Sequence, residues 1–227
     1  MTEKPKQLMR IPTRPVSTGG DLETFIEKNQ NLISGIILAI FLLVGGWYVY
    51  KNYYKEPLER EAAEQMWQAQ FQFDQDSFNL ALNNPGGGYD GFLGIIENYP
   101  GTRAANLSKY YAGVSYLRLG NYDKALEYLE DYSPHTPVMK TMKYGVMGDV
   151  LSEQEQLDQA SKYYKKAYEA AWDHSDFLAA YYLFKYGELQ EELGNREEAH
   201  RAYTDIKKYF PNTPDARQID LFIGRVE

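Results

Sequence analysis

Three histidines, His135, His174 and His200, are the side chains in this chain best suited to move protons or hold a metal near neutral pH. No two of them form an H-x-x-x-H pair, which would put both on one helix face, so the spacing offers neither a metal site nor a shared proton relay. The acidic pairs Asp74/Asp76 and Glu191/Glu192 could be imagined as an acid and a base, but they read as solvated helix faces. The chain holds no P-loop, no dinucleotide fingerprint and no G-x-S-x-G; Gly86-Gly87-Gly88 lacks both the lysine and the strand context of a phosphate cradle and reads as a loop. With no cysteine, thiolate metal sites, disulfides and cysteine nucleophiles are excluded. From Glu56 onward 17 Lys and Arg face 28 Asp and Glu, a net −11 that repels phosphate backbones. The reading is therefore of a chain that is not an enzyme, carries no cofactor or metal, takes no small-molecule substrate and binds no nucleic acid. What remains is recognition by surface, and that depends on the elements presenting it.

The first element is Leu32–Tyr50, LISGIILAIFLLVGGWYVY, 19 residues without a charge. As a helix it spans roughly 28 Å, close to the ~30 Å hydrocarbon core of a bilayer. It is longer than the apolar region of a cleaved signal and ends without a small-x-small site. With Ser34 as its one polar residue before the ring-rich end it is also too uniformly apolar for a core helix. We read residues 32–50 as a transmembrane anchor, flanked by the amphipathic rings of Trp47, Tyr48, Tyr50, Tyr53 and Tyr54 and by Lys51 and Lys55, which favour the headgroup region. Gly35 and Ala39 form a small-xxx-small pair, and Gly45-Gly46 adds a second flat surface where another membrane helix could pack. Orientation stays open on charge: the whole tail carries five basic residues against three beyond the run, while counting only near flanks reverses the sign. Residues 1–31, with Pro5, Pro12, Pro15 and Gly19-Gly20, read as a mostly disordered tail, with Asp21 capping a short segment, Leu22 to Gln30.

Residues 56–227 read as one helical domain. Leu58 to Leu82 carries apolar residues at helical spacing and predicts one long helix, stopped by Asn83-Asn84-Pro85-Gly86. Beyond it the segments LRLGNYDKALEYL (117–129), SEQEQLDQASKYY (152–164) and EELGNREEAHRAY (191–203) echo one another. Their alanines, Ala125, Ala160 and Ala199, are spaced 35 and 39 residues apart, and twelve residues before each lies a glycine, Gly113, Gly148 or Gly187. Four residues after each lie Leu129, Tyr164 and Tyr203; Pro137 and Pro211 mark boundaries, and Gly120 and Gly194 mark turns. Paired small residues at this spacing let two antiparallel helices close up.

This set of residues resembles the tetratricopeptide repeat, a helix–turn–helix unit of about 34 residues. Clear units cover 106–137, 141–172 and 180–211, and a degenerate unit covers 58–100, where Tyr89-Asp90-Gly91-Phe92 aligns with Tyr122-Asp123-Lys124-Ala125. A closing helix at 215–226 is expected to cover the end of the stack with Ile219, Leu221, Phe222 and Ile223. The fold class expected is all-α: one N-terminal transmembrane helix followed by a tetratricopeptide-repeat solenoid. The resemblance implies a protein-binding groove lined by the first helix of each unit. By position that assigns Leu107, Tyr110, Val114, Leu117 and Arg118; then Met142, Asp149, Ser152 and Glu153; then Tyr181, Phe184, Glu188, Glu191 and Glu192. Such a groove is aromatic and apolar at one end and acidic at the other. Tyr110 and Val114 occupy the places where a carboxylate-gripping lysine and asparagine clamp would begin, so a basic or mixed apolar segment is the expected ligand.

One membrane helix followed by a short acidic repeat domain resembles the YfgM-like family of ancillary Sec translocon subunits over residues 21–227. That resemblance implies a single-pass bacterial inner-membrane protein with a cytoplasmic N-terminus and a periplasmic repeat domain. Its partners would be Sec translocon subunits, a membrane-anchored periplasmic chaperone and exported chains. The junctions Tyr99-Pro100-Gly101-Thr102 and Phe210-Pro211-Asn212-Thr213 are also similar to those of repeat scaffolds in envelope assembly and cell-division coordination. A cytoplasm-facing scaffold is the third alternative.

Overall fold

The computed structural model describes residues 24–227; residues 1–23 of the expected tail, with the start of the segment beginning at Leu22, lie outside them, and the rest of that expected tail is helical at 24–28 and again from Gln30. Residues up to Tyr54 and residues Lys55–Glu227 form two separate compact units. In the first, helix α1 runs over Gln30–Val49, followed by a π-helical stretch, Tyr50–Lys55. None of α1 is buried within the protein, and it is long and apolar enough to cross a bilayer by length and composition.

The second unit is helical throughout: α2 Glu56–Asp74, α3 Phe78–Asn83, α4 Phe92–Asn98, α5 Arg103–Arg118, α6 Tyr122–Asp131, α7 Pro137–Glu153, α8 Leu157–Ala171, α9 Asp176–Glu192 and α10 Arg196–Tyr209, then a 3₁₀ turn, Asp215–Gln218, and α11 Ile219–Val226. Side-chain caps start several of these helices. Thr102 accepts from the Ala105 amide at 3.0 Å, Thr136 from Met139 at 3.2 Å and Ser175 from Leu178 at 3.3 Å, each satisfying a donor that a helix start leaves free.

The helices pair as α5/α6, α7/α8 and α9/α10, and the small residues show why. A Cβ placed on Gly113 would lie 2.6 Å from Leu129, on Gly148 2.6 Å from the Tyr164 ring, and on Gly187 2.6 Å from the Tyr203 ring. The opposing Ala125, Ala160 and Ala199 are fully buried. Each pair turns on one device: a residue of positive φ, followed by an amide that reaches five residues back. Gly120 (φ 75°) precedes Asn121, whose N–H donates to Tyr116; Glu155 (φ 58°) precedes Gln156, donating to Leu151; Gly194 (φ 80°) precedes Asn195, donating to Gln190.

The same device corrects two expectations about the first unit. The helix expected over Leu58–Leu82 is broken, because Asp76 adopts φ 55° and the Ser77 amide donates to Gln72, closing a turn of the same kind. Counting five on from Asp76 reaches Ala81 and twelve back from there Ala69, both fully buried, so Ala81 and not Phe92 is the counterpart of the repeat alanines. Phe92 instead takes the place of Leu129, Tyr164 and Tyr203. It follows Ala81 by eleven residues rather than four, and the seven extra residues form the loop between α3 and α4. Gly91 is compulsory there: a Cβ would lie 2.3 Å from the Leu82 carbonyl oxygen.

Two buried clusters, one centred on α2–α7 and one on α7–α11, share Leu126, Tyr144 and Tyr163 at their junction, so the core is continuous along the stack. The closing segment starts as 3₁₀ rather than α-helix. Ile219 is buried, and Phe222 and Ile223 pack on the last pair, but Leu221, expected to cover the end, is 73% exposed on the outer side.

Candidate protein-binding cleft

Pairing the helices brings the first members, α5, α7 and α9, side by side, and a cleft of about 620 Å³ opens across them. Val114, Leu117 and Val146 give it an apolar floor, Arg118 and Tyr122 line the α5–α6 side, and Asp149, Ser152 and Glu153 come from α7. Tyr181 and Lys185 reach in from α9, and Tyr164 from α8.

Its centre is Asp149. One carboxylate oxygen accepts from Lys185 Nζ at 2.5 Å and from the Tyr164 hydroxyl at 2.9 Å. The ammonium also lies over two rings, 5.1 Å from the centroid of Tyr164 and 5.5 Å from that of Tyr181, an arrangement that favours a desolvated cation. Burial alone pulls the Lys185 pKa down, but the charge and hydrogen bond of Asp149 outweigh it and hold the amine above its ordinary value. Burial first, then Asp149, pushes the Tyr164 hydroxyl well above the usual phenol range. Asp149 is thus held between an ammonium and a hydroxyl donor. Toward the rim, Tyr122 donates to Glu153 at 3.4 Å, a long bond that leaves that carboxylate open to a ligand. Arg118 is exposed and makes no ion pair among the described residues. Among the described residues the cleft offers apolar contact flanked by the unpaired Arg118 guanidinium and the loosely held Glu153.

Of the positions assigned from sequence, Val114, Leu117, Arg118, Asp149, Ser152, Glu153 and Tyr181 line this cleft. The others lie elsewhere. Leu107 packs against the core, and Tyr110 is wedged against Tyr111 (5.9 Å) and Tyr132 (5.5 Å), its hydroxyl pushed up by burial. Met142 is exposed outside the cleft. Phe184 packs edge-on against Phe222 at 4.7 Å, beneath the closing helix. Glu188 stands near Glu191, Asp215 and Arg225, where burial above all raises its pKa. Nor is one end a plain acidic surface: Glu191 pairs with Arg225 at 2.7 Å, and Asp149 with Lys185.

Position-by-position assignment missed Gly120, Tyr122, Val146, Tyr164 and Lys185. Tyr164 packs at the helix crossing, as its place four residues after Ala160 predicts, yet its hydroxyl end reaches Asp149 in the cleft. Lys185 had a faint signal, as the sole basic residue of α9. Among the described residues no group of three or more His, Asp or Glu side chains is placed to hold a metal ion.

Tetratricopeptide repeat family models match residues 108–133 and 181–213, and a further Tetratricopeptide repeat model matches residues 144–173. The matches fall on the three uninterrupted helix pairs. No curated protein matches the chain.

Proposed function

We propose that this chain, which contains tetratricopeptide repeats and with them a protein–protein interaction scaffold, is held at a membrane by α1 and serves protein export there. The observation that carries the reading is the cleft across α5, α7 and α9, with an apolar floor between Arg118 and Glu153. A cleft of this make-up suits a peptide segment that places an apolar side chain between an acidic and a basic one. The uniformly exposed apolar surface of α1 supports insertion in a bilayer, since in water such a surface has nothing to cover it. In the finer reading, the N-terminus is cytoplasmic, the repeat domain lies in the periplasm of a bacterial inner membrane, and the partners are Sec translocon subunits, a membrane-anchored chaperone and the chains they export. The support for that is the likeness of architecture to the YfgM-like family.

Detergent solubilisation of the full chain and mass spectrometry of co-purifying proteins test it. Translocon subunits should be recovered with the native chain and depleted severalfold with an Arg118→Glu, Tyr181→Ala variant whose helical content, read by circular dichroism, matches the native chain. Recovery of cell-wall or outer-membrane assembly factors in their place overturns the export reading in favour of an envelope-assembly scaffold. Protease added to spheroplasts should degrade the repeat domain; full protection refutes the periplasmic placement.

A further inference from the structure

We infer that the first end of the helical stack pairs with the same end of a second copy of this chain. The evidence is a comparison of equivalent positions. Two residues after the small residue of each first helix stand Phe71, Ser115, Val150 and Leu189. Ser115 and Val150 are fully buried and Leu189 nearly so, because the preceding pair covers them; Phe71, on α2, is 51% exposed. Two residues before the small residue, Tyr111 is stacked on Phe92 of the preceding unit at 5.0 Å and 7°, and Val146 and Lys185 are buried or half-buried along the cleft, whereas Trp67 is 51% exposed. The loop between α3 and α4 answers only the polar part of this face. Gln68 and Gln72 donate to the Pro85 carbonyl at 3.3 and 3.2 Å, and Tyr89 meets Trp67 edge-on at 5.5 Å, leaving both large rings half in water.

Charge and area select the occupant. Copies of a domain of net −11 repel each other over most of their surface. The stretch Gln65–Phe73 is its exception in α2, nine residues without a charge, with glutamines around the rings. Two half-exposed aromatics offer on the order of 200 Å² per copy, so a symmetric pair removes roughly 400 Å² from water, far short of the ~1,200 Å² that holds a freely diffusing partner. A second copy restricted to the same bilayer needs much less, because tethering raises its effective concentration. Two-fold pairing then sets the same aromatic patch against itself. The inference rests on the tethered reading of α1.

The chain has no cysteine, so a single introduced one is its sole cross-linking thiol, and the mass of the product identifies the partner. The full-length Gln75→Cys protein, which keeps both rings and places the thiol one helical turn from Phe71, should form a covalent dimer when oxidised in native membranes, while Leu221→Cys, at the other end of the stack, should stay monomeric. Adding Trp67→Glu to Gln75→Cys should cut the dimer at least tenfold. Equal cross-linking at 75 and 221, or none at 75, overturns the pairing, and so does a cross-link at 75 to a protein of different mass. Membrane fractionation of the same samples reads the anchor separately: a chain recovered in the soluble fraction refutes the tether, while the cross-link continues to judge the pairing.

Discussion

The two ends of the repeat stack are built alike and finished differently. The first unit closes on Tyr99-Pro100-Gly101-Thr102 and the last on Phe210-Pro211-Asn212-Thr213, and in both the threonine hydroxyl donates to the aromatic residue's carbonyl at 2.8 Å. Both ends begin as surfaces that a neighbouring unit would cover. At the last unit, α11 supplies the cover: Phe222 meets Phe184 at 4.7 Å and Tyr203 at 5.6 Å, Arg225 pairs with Glu191 at 2.7 Å, and Lys207 with Asp220 at 2.6 Å. At the first unit a glycine-rich loop accepts two glutamine donors and leaves Trp67 and Phe71 half exposed. Units that cannot bury their faces singly need a cap at each end. One end of this molecule carries its own, and among the described residues the other is left unfinished.

The largest effect should separate those ends directly. Phe222→Ala removes the ring that seals the last pair and should cost about 2–4 kcal/mol of unfolding free energy. Phe71→Ala, which removes a ring already half in water, should change it by no more than about 0.5 kcal/mol. Urea unfolding followed by circular dichroism, in dilute detergent where copies are apart, measures both. Equal losses would break the distinction between a finished and an unfinished end.

Next in size is the helix crossing within each pair. Gly148→Ala drives a methyl to 2.6 Å from the Tyr164 ring and should cost about 1–3 kcal/mol. The counterpart in the first unit is already alanine, and Ala69→Gly should cost only about 1 kcal/mol, through backbone freedom. Because Tyr164 also donates to Asp149, Gly148→Ala should weaken peptide binding in the cleft, and Ala69→Gly should not.

Much of this fold was legible because close helix crossings tolerate few residue types. The glycine–alanine pairs twelve residues apart mark three helix pairs unambiguously, and models of the repeat family match those same three. The first pair departs from that pattern for a physical reason: seven residues inserted between Ala81 and Phe92 shift the period, and an amphipathic stretch with no glycine hides the turn at Asp76. In the cleft, Val114, Leu117 and Arg118 follow from their places in the repeat that the chain resembles. The Asp149–Lys185 pair joins residues 36 apart on neighbouring first helices, and Tyr164 enters from a second helix; nothing local announces such contacts.

The turns supply a smaller test of the same contrast. Gly120 and Gly194 hold positive φ without strain, whereas Asp76 and Glu155 hold it against a Cβ. Gly120→Ala should destabilise by about 1 kcal/mol, and Asp76→Gly and Glu155→Gly should stabilise by about 0.5 kcal/mol each. Thermal unfolding that moved in the same direction for both exchanges would show that the four turns are not equivalent.

The smallest effect lies where the closing segment meets the last pair. Asp215 begins the 3₁₀ turn, and its Oδ2 is buried without a hydrogen-bond partner among the described residues. Burial raises its pKa above the ordinary carboxylate value, against a lowering by its own backbone N–H, and it adds to the burial-driven rise at Glu188. A carboxyl whose folded pKa exceeds its unfolded one binds its proton more tightly in the native state. Its charge therefore costs stability at neutral pH, and the cost disappears as pH falls through the raised value toward the ordinary 3.8. Asp215→Asn should thus be more stable than the native chain at pH 7, by up to about 1 kcal/mol for relieving one buried unpartnered oxygen, and the gain should shrink steadily between pH 7 and pH 4. The open first end has no such group on its face, so Gln72→Glu there should leave stability flat at neutral pH only if the loop carbonyl of Pro85 is dispensable. A loss at pH 7 that recovers on acidification would show instead that the glutamine-to-Pro85 bonds do for the first unit part of what α11 does for the last.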